Sequence, residues 1–223
     1  MFGKKKQVAR NAFGSVLILA FTAVPGAFAA DEKGWYLGAG LGQSKVSINE
    51  GAINAAAIAA GFTAASTTSD EKGDAWKLFG GYQFTKNWAV EFAYMDAGKF
   101  SADTTATGPA GRFKLEWAGK GWSLAGVGTA MVSDNFGVFG KLGAFSWDLD
   151  YKCSAVSGAA VCVAPTNRSA SGTDLTYGVG LKYNLTKQTS LRVEWEQFKD
   201  VGNDATGGKG DIDLITVGIQ YKL

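Results

Sequence analysis

The chain has 223 residues, 22 Lys+Arg against 20 Asp+Glu, and no His. One domain fits that length. The missing His removes most zinc and proton-shuttle chemistry, and the balanced charge offers no basic stripe for nucleic acid. Thirty-one Gly, 14 Phe, 7 Trp and 7 Tyr against three Pro lean toward a β-protein in which backbones approach closely.

Lys4, Lys5, Lys6 and Arg10 form a positive n-region. Ser15 to Val24 is an apolar run too short to span a membrane as a helix. Pro25 and Gly26 break it, and Ala27-Phe28-Ala29 supplies a small-x-small cleavage site. Residues 1–29 are therefore expected to be a secretory signal peptide. Without them, 18 basic and 20 acidic groups remain, a formal charge of −2, so the slight positive charge of the whole chain points to no partner.

Beyond residue 30 the hydrophobic pattern has period two, the mark of strands with one apolar and one polar or small face. Trp35, Leu37, Ala39 and Leu41 alternate with Tyr36, Gly38, Gly40 and Gly42. Trp76, Leu78, Tyr82 and Phe84 alternate with Lys77, Phe79, Gly81 and Gln83, and Trp88, Val90, Phe92 and Tyr94 with Ala89, Glu91 and Ala93. Leu175 to Tyr183, Leu191 to Trp195 and Val217 to Leu223 repeat the pattern. Short polar turns at Thr85-Lys86-Asn87, Ser133-Asp134-Asn135 and Thr186-Lys187-Gln188 separate long strands. Four long segments, about 49–73, 98–112, 153–172 and 199–210, have loop composition. The chain thus reads as all-β, an eight-stranded antiparallel up-and-down transmembrane β-barrel with short periplasmic turns and long extracellular loops.

A soluble up-and-down barrel would show the same alternation with its faces reversed. Three features favour the membrane: the expected export signal, a polar face rich in Gly, and aromatic residues near strand ends (Trp35, Trp76, Trp88, Phe136, Tyr183, Tyr221), where girdles meet the lipid interface.

Gly34-Trp35-Tyr36-Leu37-Gly38-Ala39, Gly178-Val179-Gly180-Leu181-Lys182-Tyr183 and Leu191-Arg192-Val193-Glu194-Trp195 resemble the OmpA-like transmembrane barrels. The end, with Gly218, Tyr221 and Leu223, is similar to the carboxy-terminal assembly signal of outer-membrane proteins, although the usual final Phe is Leu223 here. The resemblance implies a cell outer membrane location, contact with outer-membrane lipid and lipopolysaccharide, and recognition by the barrel-assembly machinery. It makes residues 30–223 a single barrel domain, expected to be monomeric and without cofactor or metal. The periplasmic peptidoglycan-binding domain of larger family members is not expected.

Enzymatic activity is not expected. A Ser-His-Asp or Cys-His arrangement is impossible without His, and barrels that are enzymes resemble one another in needing one. Glu194 and Glu196 share a strand face, but beside basic residues they read as part of a structural ion network rather than an acid–base pair. Gly38, Gly40 and Gly42 fall at period two with no helix after them, so they read as room at a crowded wall rather than a phosphate loop. Cys153 and Cys162 lie in the third long segment, where an oxidising compartment favours a disulfide. Residues 52–62 of the first long segment are Ala-rich; they read as a short helix or collapsed loop, with an apolar contact surface as the alternative.

Three-residue turns set the hairpin registers. Phe84 opposite Trp88 puts Glu91 opposite Gly81, and Leu185 opposite Thr189 puts Lys182 opposite Arg192. Glu91 and Arg192 then stand at similar depth on the third and seventh strands, which face each other across the lumen. The resemblance likewise places a carboxylate and an arginine matching Glu91 and Arg192 in an interior network. The expected lumen set is Glu91, Lys141, Lys182, Arg192 and Glu194, plugging the barrel so that loss of Glu91 enlarges an open state. The function so read is a mainly structural outer-membrane barrel with at most a narrow or gated pore, or alternatively a surface interaction protein acting through its long loops.

Overall fold

Trp35, Leu37 and Leu41 of β1 (Gly34–Val46) stand exposed while Tyr36, Gly40 and Ser44 are buried, so the period-two pattern becomes an outward apolar face and an inward polar or small one. The computed structural model describes residues 33–160, 162 and 165–223. The expected signal peptide lies outside them. After β1 come α1 (Glu50–Ala59), β2 (Ala64–Asp70), β3 (Lys72–Gln83), β4 (Trp88–Thr107), β5 (Gly111–Met131), β6 (Phe136–Gly158), β7 (Asn167–Asn184), β8 (Thr189–Val201) and β9 (Gly210–Lys222).

Each strand pairs antiparallel with the next wall, and β9 returns to β1, where Leu37 meets Tyr221 and Gly40 meets Gly218. Closure of β9 on β1 gives each of the eight walls two neighbours, while β2, beyond the end of β3, pairs with β4 alone. Among the described residues the strands number nine but the walls eight. β2 and β3 both pair β4, one beyond the other, with only Glu71 between them. Both turn-derived registers are present: Gly81 opposite Glu91 and Lys182 opposite Arg192.

The four long segments stand opposite the short turns, but much of their length is strand rather than loop. β4 runs to Thr107 and β5 restarts at Gly111, and β6 runs to Gly158 before β7 begins at Asn167. Loop-like composition misleads there because the ladder is made by backbone groups. Above the bilayer no apolar outward face is required, so Ser, Thr, Gly and Ala carry the pairing. In the first segment α1 is capped by Asn49, whose side chain accepts from Ala52 N at 2.9 Å. Cys153, near the end of β6, is disulfide-bonded to Cys162.

Outward-facing aromatics form two belts. Near the short turns Trp35 and Tyr82 pack at 5.0 Å. Higher up, Trp76, Tyr94, Trp122 and Phe92 form a chain with centroids 4.5–5.4 Å apart. These are the girdles expected at the two interfaces of an outer-membrane barrel.

Inside, the lumen is filled in layers. Phe100, Phe145, Trp147, Phe198, Ile212 and Leu214 form a buried apolar cluster toward the long-segment end. The Phe145 and Phe198 rings lie 4.3 Å apart. A charged layer lies directly beneath it, since Glu196 pairs across the sheet with Leu214 and Lys77 with Met95 of that cluster.

Candidate functional site: the charged lumen

Lys77 on β3, Glu91 on β4, Lys141 on β6, and Arg192, Glu194 and Glu196 on β8 all occupy inward positions of the period-two pattern, and all are buried. Three cations meet three carboxylates. Lys77 Nζ lies 2.9 Å from both Glu194 Oε2 and Glu196 Oε2. Lys141 Nζ lies 2.5 Å from Glu194 Oε1 and 2.6 Å from Glu196 Oε2, with Glu91 Oε1 at 3.7 Å. Arg192 reaches Glu91 Oε2 at 2.5 Å and Glu194 Oε2 at 3.2 Å. Neutral hydroxyls complete the shell: Tyr36 donates to Glu91 at 3.1 Å and Thr176 to Glu196 at 3.0 Å. Burying a charge is costly unless it is paired and hydrogen-bonded, and here each charge has an opposite neighbour.

Arg192 is also clamped between two rings. Its guanidinium carbon lies 4.4 Å from the centroids of both Phe79 and Phe139. Glycines make room for them. A Cβ on Gly38 would come within 2.2 Å of the Phe79 ring, and one on Gly180 within 2.3 Å of the Phe139 ring. Crowding thus explains glycine at these two inward positions.

Of the sequence-derived set, Glu91, Lys141, Arg192 and Glu194 come together, and Lys182 does not. Lys182 lies two residues nearer the short turns than Gly180, and it makes no ion pair or hydrogen bond with the described residues. Arg192, its cross-strand neighbour, leans the other way toward Glu91. Sequence reasoning left Lys77 out of the set and, although it saw Glu196 beside Glu194, left that out too. The available signal for Lys77 was a charge at an inward position between Trp76 and Leu78. Among the described residues no group of three His, Cys, Asp or Glu side chains could hold a metal ion. Tyr221 and Leu223 are on the outward face, and Gly218 sits between Gly40 and Arg192.

An eight-walled antiparallel ring, aromatic-belted outside and ion-paired within, defines a small outer-membrane β-barrel. A family model for the OmpA-like transmembrane domain matches residues 30–223, and the chain belongs to that family. It is similar to outer membrane protein A of Salmonella typhi, 24% identical across 96% of this chain and 55% of the relative. It is 26% identical to outer membrane protein P5 of Haemophilus influenzae, across 87% of this chain and 55% of the relative. The chain spans about half the length of these curated relatives. Among solved structures, Neisserial surface protein A superposes with a TM-score of 0.50 at 10% identity, covering 85% of this chain and 97% of that one. The protein is an integral β-barrel of the outer membrane.

Proposed function

We propose that this barrel is mainly structural, a monomer of one domain with at most a narrow pore and no enzymatic activity. The observation that carries this reading is the filled lumen: a paired charged layer capped by a buried apolar one. An eight-stranded barrel is just wide enough for side chains to fill it. The carboxylates that could do acid–base work are each held by Lys or Arg. Within the ring every wall has two paired neighbours, so the closed part of the barrel offers no edge to a second copy. The last strand, with Tyr221 and Leu223 outward, supports insertion by the barrel-assembly machinery into a membrane of lipid and lipopolysaccharide.

The apolar layer changes what opening the pore requires. Glu91→Ala removes one charge of the lower seal and leaves Phe145 and Phe198 in place above it. In planar bilayers, the parent and Glu91→Ala are both expected to conduct little, whereas Glu91→Ala combined with Phe145→Ala and Phe198→Ala opens a resolved state. An open state already present in the parent would overturn the structural reading. An open state in Glu91→Ala alone would make the ion network the sole seal.

A second reading is surface interaction. β5 and β6 have 21 and 23 residues, whereas about 9–11 suffice to cross a bilayer. The β6 extension carries Cys153 of the disulfide, and α1, packed against β2, leaves Ile58 half exposed. Deleting residues 50–60 should leave a heat-modifiable barrel, so unchanged attachment of expressing cells to host cells would remove α1 from this reading.

A further inference from the structure

β7 pairs with β6 without a break from Tyr183 up to Asn167, but with β8 only from Asn184 to Thr176. β8 leaves it at Lys199, which pairs with Asp211 of β9, and Asp200 turns into the left-handed region at φ 54°. Residues 167–175 of β7 therefore have a strand on one side alone. Leu175 is the last apolar residue of their outward face. Thr173, Ser171, Ser169 and Asn167 continue it in exposed polar side chains, clear of the hydrocarbon. Hydrogen-bond alternation fixes which backbone groups face the open side. Asn184 N donates to Asn135 O, Cys153 N to Thr166 O, and Leu185 N to Thr189 O. Even-numbered residues of β7 thus bond β6, and odd-numbered ones point toward the β8 side. The N–H and C=O groups of Ser169, Ser171 and Thr173 have no strand to meet among the described residues. The Asp204–Thr206 turn comes near β7 on the lumen side, where Trp117 Nε1 donates to Thr206 O at 2.9 Å, and it makes no backbone bond to β7.

The other edge of this extension, β2, is covered. Glu50 Oε1 of α1 accepts from Ser69 N at 2.9 Å and from Ser69 Oγ at 2.6 Å, and Asn54 accepts from Thr67 Oγ1 at 2.7 Å. The usual guards of a free edge are charge, proline and bulges. The β6–β7 register has no bulge, and residues 169–173 hold neither charge nor proline. Arg168, next to them, gives its Nε to Pro165 O at 3.2 Å and makes no ion pair among the described residues. We infer that the upper edge of β7 takes up an extended peptide of a partner protein as an added antiparallel strand. The inference deepens the surface-interaction reading and rests on it. Main-chain bonds supply the affinity, and the small side chains at 169–173 leave room for larger ones opposite them. A strand antiparallel to β7 brings its C-terminal end to Arg168, where an acidic side chain makes a charge-assisted bond. A second copy does not suit the edge. β2 and β7 both run toward the short turns, so two copies in one membrane offer each other only parallel edges.

The test uses the folded barrel in detergent micelles and the peptide acetyl-Lys-Thr-Val-Thr-Val-Thr-Glu-amide, with hydrogen exchange of the β7 backbone amides as the readout. The peptide spans Asp174 to Arg168, its Glu opposite Arg168. At saturation it is expected to slow exchange at Ser169, Ser171 and Thr173 about tenfold. Ala170 and Gly172, already bonded to β6, should not change. The same peptide N-methylated at its three Thr residues lacks the edge-facing donors and is expected not to bind. Ser171→Pro removes an N–H on the open side only, where proline is tolerated, and is expected to weaken binding about tenfold. Arg168→Glu is expected to prefer a peptide with Lys in place of the final Glu. Heat-dependent migration checks that each variant folds; if Ser171→Pro does not, the N-methylated peptide and Arg168→Glu decide. No saturable protection of Ser169, Ser171 and Thr173, or equal protection by the N-methylated peptide, would overturn the site. Protection that rises with protein concentration without peptide would assign the edge to a second copy and overturn it too. Host-cell attachment that persists after such a failure would leave the surface reading in place without this edge.

Discussion

Glu194→Ala is expected to be the most damaging single change in the lumen, lowering folding stability by about 3–5 kcal/mol. Glu194 touches all three buried cations, Lys77 at 2.9 Å, Lys141 at 2.5 Å and Arg192 at 3.2 Å. Without it, those cations face only Glu91 and Glu196 in a space closed to water above by Phe145 and Phe198. The cost is that of an uncompensated buried charge, not the net worth of one pair. Removing Lys141 as well restores the charge balance, so Glu194→Ala with Lys141→Met should be more stable than Glu194→Ala alone. Urea-dependent folding into lipid vesicles, followed by Trp fluorescence, measures both. A Glu194→Ala variant within 1 kcal/mol of the parent would mean that water reaches the layer, as for exposed pairs.

Deleting Tyr221 to Leu223 is expected to abolish the folded barrel. Leu37 pairs with Tyr221 and Tyr36 with Lys222, and Leu223 N donates to Trp35 O at 2.9 Å. The deletion thus unpairs the seam between first and last strands at its short-turn end. Backbone groups freed within a bilayer cost several kcal/mol each, because lipid offers no replacement partner. The truncated chain should accumulate unfolded in the periplasm and show no difference in migration between boiled and unboiled samples. Leu223→Phe, which keeps an apolar outward residue, should fold at least as well as the parent. Normal surface levels of the truncated chain would show that the seam closes without its last three residues.

The barrel itself was legible from residue order. Period-two alternation and three short turns sufficed for eight walls and two hairpin registers, and the export signal, the Gly-rich face and the aromatic strand ends set the sense of the faces. Those are local properties, since a strand's side chains alternate whatever surrounds it and a three-residue turn pins its own hairpin. The same local logic placed Glu91, Lys141, Arg192 and Glu194 inward.

Tertiary structure decided which inward charges meet. Strands in a closed barrel tilt and stagger, so distance from a turn is a poor measure of depth. Lys77, on β3 with β1 and β9 between it and β8, therefore reaches Glu194 and Glu196, while Lys182, directly beside Arg192, is left at the mouth. The apolar cap was equally hidden. Phe145, Phe198 and Leu214 come from β6, β8 and β9, and only ring closure brings them over the charges. The strand extensions above the bilayer went unread for a different reason: their pairing rests on backbone hydrogen bonds, which leave no hydrophobic pattern in the side chains.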